Sequence, residues 1–228
     1  FGKRFRSEYF ILENAFYIMA PGLYFPVTGI ANIVKQYTAQ DYLIDRRYRY
    51  FYLYFDRLES SADFERLRDL VENIYTNDYL NKQIVNWNQS LTAADGKSGL
   101  PQQLDFYSRY VRNNKERTVV IISDALRYEV GRTLFEKIQA DEKCTATISA
   151  MQAVLPSYTR FGMAALLPHK TIAVCPDLRV TIDGKQTDDL KQREAILQAA
   201  QPSSRCVQFD DIKSMKVAEL REVFTGQD

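Results

Sequence analysis

Residues 117–168 constrain this chain most: RTVVIISDALRYEVGRTLFEKI, a short connection, then ISAMQAVLPSYTRFGMAALLP. Val119, Val120, Ile121 and Ile122 form an unbroken β-branched run, the pattern of a strand covered on both faces. Asp124 lies just past its carboxyl end, where open parallel sheets place their ligand sites. Leu155-Pro156-Ser157-Tyr158-Thr159 then opens an apolar helix over 161–167, whose first N–H groups favour a nearby anion. An acid able to hold a metal, together with hydroxyls at a helix start, suits phosphoryl transfer.

The runs VVIISDALRYEVG and LPSYTRFGMAALLP resemble the PglZ family, the alkaline-phosphatase-like component of BREX-type phage-resistance systems. The Tyr- and Arg-rich segment 42–55 is similar to the helical region that precedes this domain in the same family. In the wider alkaline phosphatase superfamily, the aspartate after the first strand is a metal ligand and a Thr or Ser at the next helix start is the nucleophile. Carried over by position, the resemblance implies Asp124 and Thr159 as metal ligands, with Thr159 the nucleophile. Ser157 is the alternative nucleophile, because PSYT offers two hydroxyls and spacing alone does not choose. Arg127 and Arg160 lie three residues after Asp124 and one after Thr159, where a guanidinium could clamp a phosphate bidentately. Each also reads as an ordinary surface arginine.

The implied cofactor is a pair of divalent ions, zinc by analogy, and the implied reaction is phosphoryl transfer through a phosphothreonine. The implied partners are other phage-defence proteins, a DNA methyltransferase among them, and DNA. Such metal sites bind with several histidines and aspartates. This chain holds one histidine, His169, which follows Pro168 and reads as a polar residue at a helix end. The chain also starts without Met and stops at Asp228, just after a helix predicted over 217–225. It therefore reads as an internal fragment, expected to hold metal poorly and to be nearly inactive alone.

Composition adds exclusions. Net charge is +1 with 26% charged residues, so no global field recruits nucleic acid or a membrane surface. No apolar run approaches a membrane span, and FGKRFRSEYF lacks a signal-peptide core. Cys144, Cys175 and Cys206 are far apart without a CxxC pair, so small buried thiols and a reducing cytoplasm are expected.

The expected fold is α/β: a helical region over 1–92, a linker over 93–104, and the N-terminal part of an alkaline-phosphatase-like domain over 105–228. The last is expected as an incomplete three-layer α/β/α sheet with the strand 118–123 at its centre. In the helical region, Thr38 reads as an N-cap for a helix through Phe55. Amphipathic helices follow over 61–76, with Phe64, Leu67, Leu70, Val71 and Ile74 inward, and over 78–91, which carries Trp87. A short helix over 102–113 leads to the central strand. Later strands are expected at 143–151, 171–174 and 205–209, with a hairpin about Asp183-Gly184 and a helix over 188–201.

Several features admit a plainer reading. Arg46, Arg47, Arg49 and Arg57 among aromatic residues could stack nucleic-acid bases, or could pair with Asp41, Asp45 and Asp56 in a helix-on-helix core. Asp210-Asp211 resembles a metal pair but fits a solvated turn or helix cap. Gly131, inside the helix after Asp124, could approach a phosphate but reads rather as a close-packing position. Two other classes of function stay open beside the enzyme: a non-catalytic scaffold that binds partner proteins through the helical region, and a DNA-contacting module.

Overall fold

The computed structural model describes residues 4–20 and 26–224. The chain forms two compact units, one of Phe1–Leu100 with Ala125–Ser149, the other of Pro101–Asp124 with Ala150–Asp228.

The first unit is helical. α1 (Arg6–Met19) buries Ile11, Asn14, Ala15 and Ile18, one face at three- and four-residue spacing. Its opposite face is apolar too, with Tyr9, Leu12, Phe16 and Met19 exposed, so the polar contrast that marks a helix boundary in sequence is missing. α2 (Ile30–Gln36) runs through a widened π-turn at Tyr37–Asp41 into α3 (Tyr42–Phe55). Thr38 therefore caps nothing, and its hydroxyl instead donates to the carbonyl of Val34 at 2.8 Å within the rod. After a short 3-10 turn at Ala62–Phe64, α4 (Glu65–Asn73), a second widened turn at Ile74–Leu80 and α5 (Asn81–Ala93) form another continuous rod. The two helices read over 61–76 and 78–91 are thus one, because the helix absorbs the polar Asn77-Asp78 step by widening rather than breaking. α6 (Tyr128–Gln139) completes the unit.

Ile11, Ala15 and Ile18 of α1, Ile44 and Phe51 of α3, and Val71, Tyr75 and Tyr79 of the long rod form its core. Phe64, Leu67 and Ile74 pack against that core as expected, but Leu70 faces solvent. The arginines of α3 pair across helices rather than with Asp41, Asp45 or Asp56: Arg46 with Glu136 at 3.3 Å, Arg47 with Glu13 at 2.8 Å and Arg49 with Glu129 at 2.8 Å. Asp41 and Asp45 lie on the inward side, where Gln36 and tyrosine hydroxyls reach them instead.

In the second unit, a short 3-10 turn at Gln103–Asp105 and a π-turn at Tyr107–Val111 replace the helix expected over 102–113. α7 (Thr159–Ala165) packs on an antiparallel sheet of β1 (Ile172–Val174), β2 (Val180–Ile182) and β3 (Lys185–Gln186) in the order β1-β2-β3. Ile172 faces Ile182 and Val174 faces Val180. Asp183 and Gly184 turn the β2–β3 hairpin with φ of +49° and +79°, the pair of left-handed residues that a two-residue turn matched to strand twist requires. The Asp183 carboxylate also accepts from the Thr171 N–H at 2.8 Å, fastening the start of β1. α8 (Leu190–Ala200) opens on a reciprocal cap between Asp189 and Gln192. α9 (Phe209–Ile212) and α10 (Val217–Phe224) follow. Ala164, Val180, Ile182 and Ile196 are the buried centre.

The chain is α/β, and its three strands lie where strands were expected, at 171–174 and in the hairpin about Asp183-Gly184, but the expected central strand is not among them. Val119, Val120, Ile121 and Ile122 are 67, 43, 88 and 50% exposed, and residues 118–123 join no ladder among the described residues. A β-branched run favours extended backbone, but the strand exists only where neighbours occupy its hydrogen-bonding edges. Residues 143–151 and 205–209 also form no strand. An isolated parallel bridge joins Gln102 to Gln152, and 209 begins a helix. None of the three cysteines is buried, and Cys144 is exposed. Gly131 is not a close-packing position: a Cβ built there meets nothing within 4 Å.

Candidate functional site

Tyr158, in extended backbone, precedes α7, so Thr159 is the first helical residue. Its side chain is not drawn into the helix, and Oγ1 donates to Oδ2 of Asp124 at 3.0 Å. Both residues are exposed. The two motifs separated in sequence by the intervening helix thus meet as a hydroxyl and a carboxylate open to solvent. Ser157, two residues earlier, is exposed and makes no hydrogen bond among the described residues. The chain leaves Asp124 through Ala125, whose φ is +56°.

The two arginines sit differently. Arg160 lies 3.9 Å from Oδ1 of Asp188, an atom buried without a hydrogen-bond partner. Arg127 is exposed and, within the helical unit, lines an open cleft of ≈ 370 Å³ with Tyr48, Arg49 and Tyr52. His169 makes a 2.7 Å contact between Nδ1 and the carbonyl of Leu167, closing the end of α7 as a helix-end residue does. Asp210 pairs with Lys213 at 2.7 Å in the first turn of α9.

A polar cluster in the helical unit is absent from the sequence reading. The Asp45 carboxylate accepts from the Tyr37 hydroxyl at 2.5 Å and the Tyr75 hydroxyl at 2.9 Å. Burial raises the Asp45 pKa above the usual carboxylate range and outweighs those hydrogen bonds, which lower it. Burial, then the charge of Asp45, raises both tyrosines. Glu129, wholly buried in the first turn of α6, accepts from Nε of Arg49 at 2.8 and 3.0 Å. The available signals were the eight-residue step from Tyr37 to Asp45, two turns along one rod, and an acid among the apolar residues of YEVG.

Asp124 and Thr159 offer two hard oxygen donors, the chemistry that suits a divalent cation. Two oxygens bound at about 2.1 Å and at right angles lie about 3.0 Å apart, so the observed separation fits two neighbouring ligands of one ion. No group of three or more His, Cys, Asp or Glu converges among the described residues, so the pair fits part of a metal shell.

Comparison with known proteins gives the class to which a chain with this aspartate–threonine pair belongs, that of alkaline-phosphatase-like domains. Residues 106–228 match the family described as the BREX system PglZ alkaline phosphatase-like domain, and the chain belongs to the PglZ family. It is 38% identical over 203 residues to the alkaline phosphatase-like protein PglZ of Bacillus cereus (strain H3081.97), covering 86% of this chain and 24% of that protein. It is 33% identical over 208 residues to the alkaline phosphatase-like protein BrxZ of Escherichia coli O9:H4 (strain HS), covering 85% of this chain and 24% of that protein. The chain thus spans about a quarter of the length of these relatives. No solved structure matches it. No helix among the described residues is long and apolar enough to cross a membrane.

Proposed function

We propose that this chain contributes the nucleophile and one metal ligand of a metal-dependent phosphoric ester hydrolase acting in phage defence. The observation that carries the reading is the 3.0 Å hydrogen bond from Thr159 to Asp124, which joins the two family motifs into one acid–hydroxyl pair. Asp124 and Thr159 would hold a divalent ion, zinc by analogy with the superfamily. Such an ion supplies Lewis-acid polarisation and lowers the pKa of the oxygen bound to it. Asp124 orients the Thr159 hydroxyl and accepts its proton at Oδ2. Thr159 Oγ1 attacks phosphorus as the bond to the ester oxygen breaks, and the leaving alkoxide takes the proton from Asp124 to depart as the alcohol. Water then attacks the phosphothreonine, one of its protons returns to Thr159 Oγ1, and inorganic phosphate or the remaining phosphate ester is released. Arg127 and Arg160 are proposed to bind non-bridging phosphate oxygens, Arg160 by exchanging its long contact with Asp188 for the substrate. Residues 1–228 alone are expected to turn over little, because Asp124 and Thr159 supply only two donors.

The proposed partners are other proteins of the same defence system, with a DNA methyltransferase and DNA as narrower possibilities, and the proposed compartment is the cytoplasm. The paired state of Arg46, Arg47 and Arg49 counts against α3 as a DNA-stacking surface. The apolar stripe Tyr9, Leu12, Phe16 and Met19 favours protein contact and supports a scaffold role as the second reading.

Metal analysis and phosphodiester turnover of the full-length protein, beside Thr159→Ala, test the enzyme reading. Turnover lost with metal content retained is expected. Undiminished turnover in the variant rejects the nucleophile.

A further inference from the structure

Asp188, in the second unit between β3 and α8, combines a fixed backbone with an unsatisfied side chain. Its N–H donates to Oε1 of Gln192 at 2.8 Å, and its carbonyl accepts from Nη2 of Arg193 at 3.1 Å. Thr187 before it is buried and donates its hydroxyl to the Val180 carbonyl at 2.8 Å. The Thr187 carbonyl accepts from Nε of Arg193 at 2.8 Å. Residues 187 and 188 are thereby tied to β2 and to the first turn of α8. Yet Oδ1 of Asp188 is buried with no hydrogen-bond partner. An unsatisfied buried carboxylate oxygen is costly, and its place on so well held a backbone needs an explanation.

Among the described residues Asp188 makes one ion pair, from this same oxygen to Nη1 of Arg160 at 3.9 Å. Both partners stand on one core, because Ala164 of α7 packs with Val180 of β2 and Ile196 of α8. Arg193 is spent on the two carbonyls and Arg179 on Asp177 at 2.6 Å, so neither supplies the missing donor. The contact to Arg160 is too long for a hydrogen bond, and the Arg160 side chain is 54% exposed. Such a pair orders the arginine little. A phosphate oxygen, which accepts short charge-assisted hydrogen bonds, can displace it. Asp188 then loses its ion-pair partner, a cost met by every phosphate group that binds through Arg160.

We infer that Asp188 is a positioning residue that competes with bound phosphate for Arg160. It holds the guanidinium between turnovers and draws it back as phosphate leaves, so the site binds inorganic phosphate less tightly than its arginine alone would. The inference rests on the phosphate-binding role proposed for Arg160, and it adds a residue whose charge weakens that binding and eases release.

The test is titration calorimetry of the full-length holoprotein with inorganic phosphate at fixed salt. Arg160→Ala is the control and should weaken binding by about tenfold or more, the loss typical of a hydrogen bond to a charged group. Asp188→Asn keeps the shape and the backbone hydrogen bonds and removes the charge. It should tighten phosphate binding by about two- to tenfold, the opposite of what structural damage does. Inhibition of phosphodiester turnover by phosphate should strengthen in the same proportion. The gain should vanish in the Arg160→Ala/Asp188→Asn double variant, because Asp188 acts through Arg160. Should Asp188→Asn fail to fold, Asp188→Ser removes the same charge and carries the comparison. Unchanged or weaker binding in the Asp188 variant beside a defective Arg160→Ala overturns the inference alone, as does a gain that persists without Arg160. Wild-type affinity in Arg160→Ala, or no phosphate binding by the wild-type protein, overturns the role of the arginine and the inference with it.

Discussion

Thr159 Oγ1 donates to Asp124 Oδ2 at 3.0 Å, although 34 residues and an entire helix lie between them in the chain. The bond gives the threonine hydroxyl a defined direction and a proton acceptor, the two things a weak oxygen nucleophile lacks in water. Ser157 has neither among the described residues. In the full-length protein, Thr159→Ala should therefore lower phosphodiester turnover by at least about a thousandfold, as expected when a nucleophile is removed. Ser157→Ala should change it little, and Thr159→Ser should retain part of it. Steady-state rates of the three variants at equal metal content decide this, and a severe loss in Ser157→Ala alone would move the nucleophile.

The Arg49–Glu129 pair has a consequence for stability that is independent of catalysis. Glu129 is fully buried while the Arg49 side chain is 35% exposed, so removing the arginine strands a carboxylate with no water to receive it. Arg49→Ala should cost about 3–5 kcal/mol, the range found for breaking buried pairs. Replacing both partners with methionine and leucine should cost much less. Urea unfolding of the two variants makes the comparison, and equal losses would show that packing, not the stranded charge, sets the cost.

Asp45 makes stability depend on pH in a specified direction. Burial raises its folded-state pKa, so the folded protein binds this proton more tightly than the unfolded chain does. The contribution of the protonated acid to stability is fully present below the unfolded value of about 3.9 and is lost as pH rises through the folded value. Above the folded value the burial of this group is then a cost, only partly offset by Tyr37 and Tyr75. Asp45→Asn should raise the melting temperature at pH 7 and lose that advantage as pH falls below the unfolded carboxylate pKa. A variant less stable than wild type at pH 7 would mean the two tyrosine hydrogen bonds outweigh burial.

How far the sequence disclosed this molecule depended on what each signal requires. The Asp183-Gly184 hairpin and α8 were readable because a left-handed turn pair and an Asp–Gln capping box act within a few residues. Asp124 and Thr159 were readable as motifs and as a pair expected to approach each other at the helix start, and Thr159 Oγ1 does reach Asp124 Oδ2; the parallel-sheet edge expected to bring them together is absent among the described residues. The strand at 118–123 rests on its unbroken β-branched run, and a local run cannot supply the neighbours that make a strand. The continuity of α4 with α5, and of α2 with α3, was hidden because a polar step looks like a helix boundary whether the helix breaks or widens there. α1 was hidden by its second apolar face. Asp45 read as a partner for the arginines of α3 and Glu129 as no residue's partner, because only the folded core shows that tyrosines converge on the first and an arginine on the second.

Gly131 offers a direct check on α6. The residue lies in the fourth position of the helix, its φ is not left-handed, and a Cβ there meets nothing within 4 Å. With neither strain nor crowding to oppose it, the substitution acts through helix propensity and through reduced freedom of the unfolded chain. Gly131→Ala should therefore stabilise the protein by about 0.5–1 kcal/mol, and it should leave the Arg49–Glu129 pair untouched. Denaturant midpoints with unchanged slope measure the gain. A destabilised variant would mean that Gly131 is approached by something outside residues 4–20 and 26–224, such as another segment of the longer protein or a bound partner. In that event full-length protein and the 228-residue chain should respond with opposite signs, which separates a covered helix face from an open one.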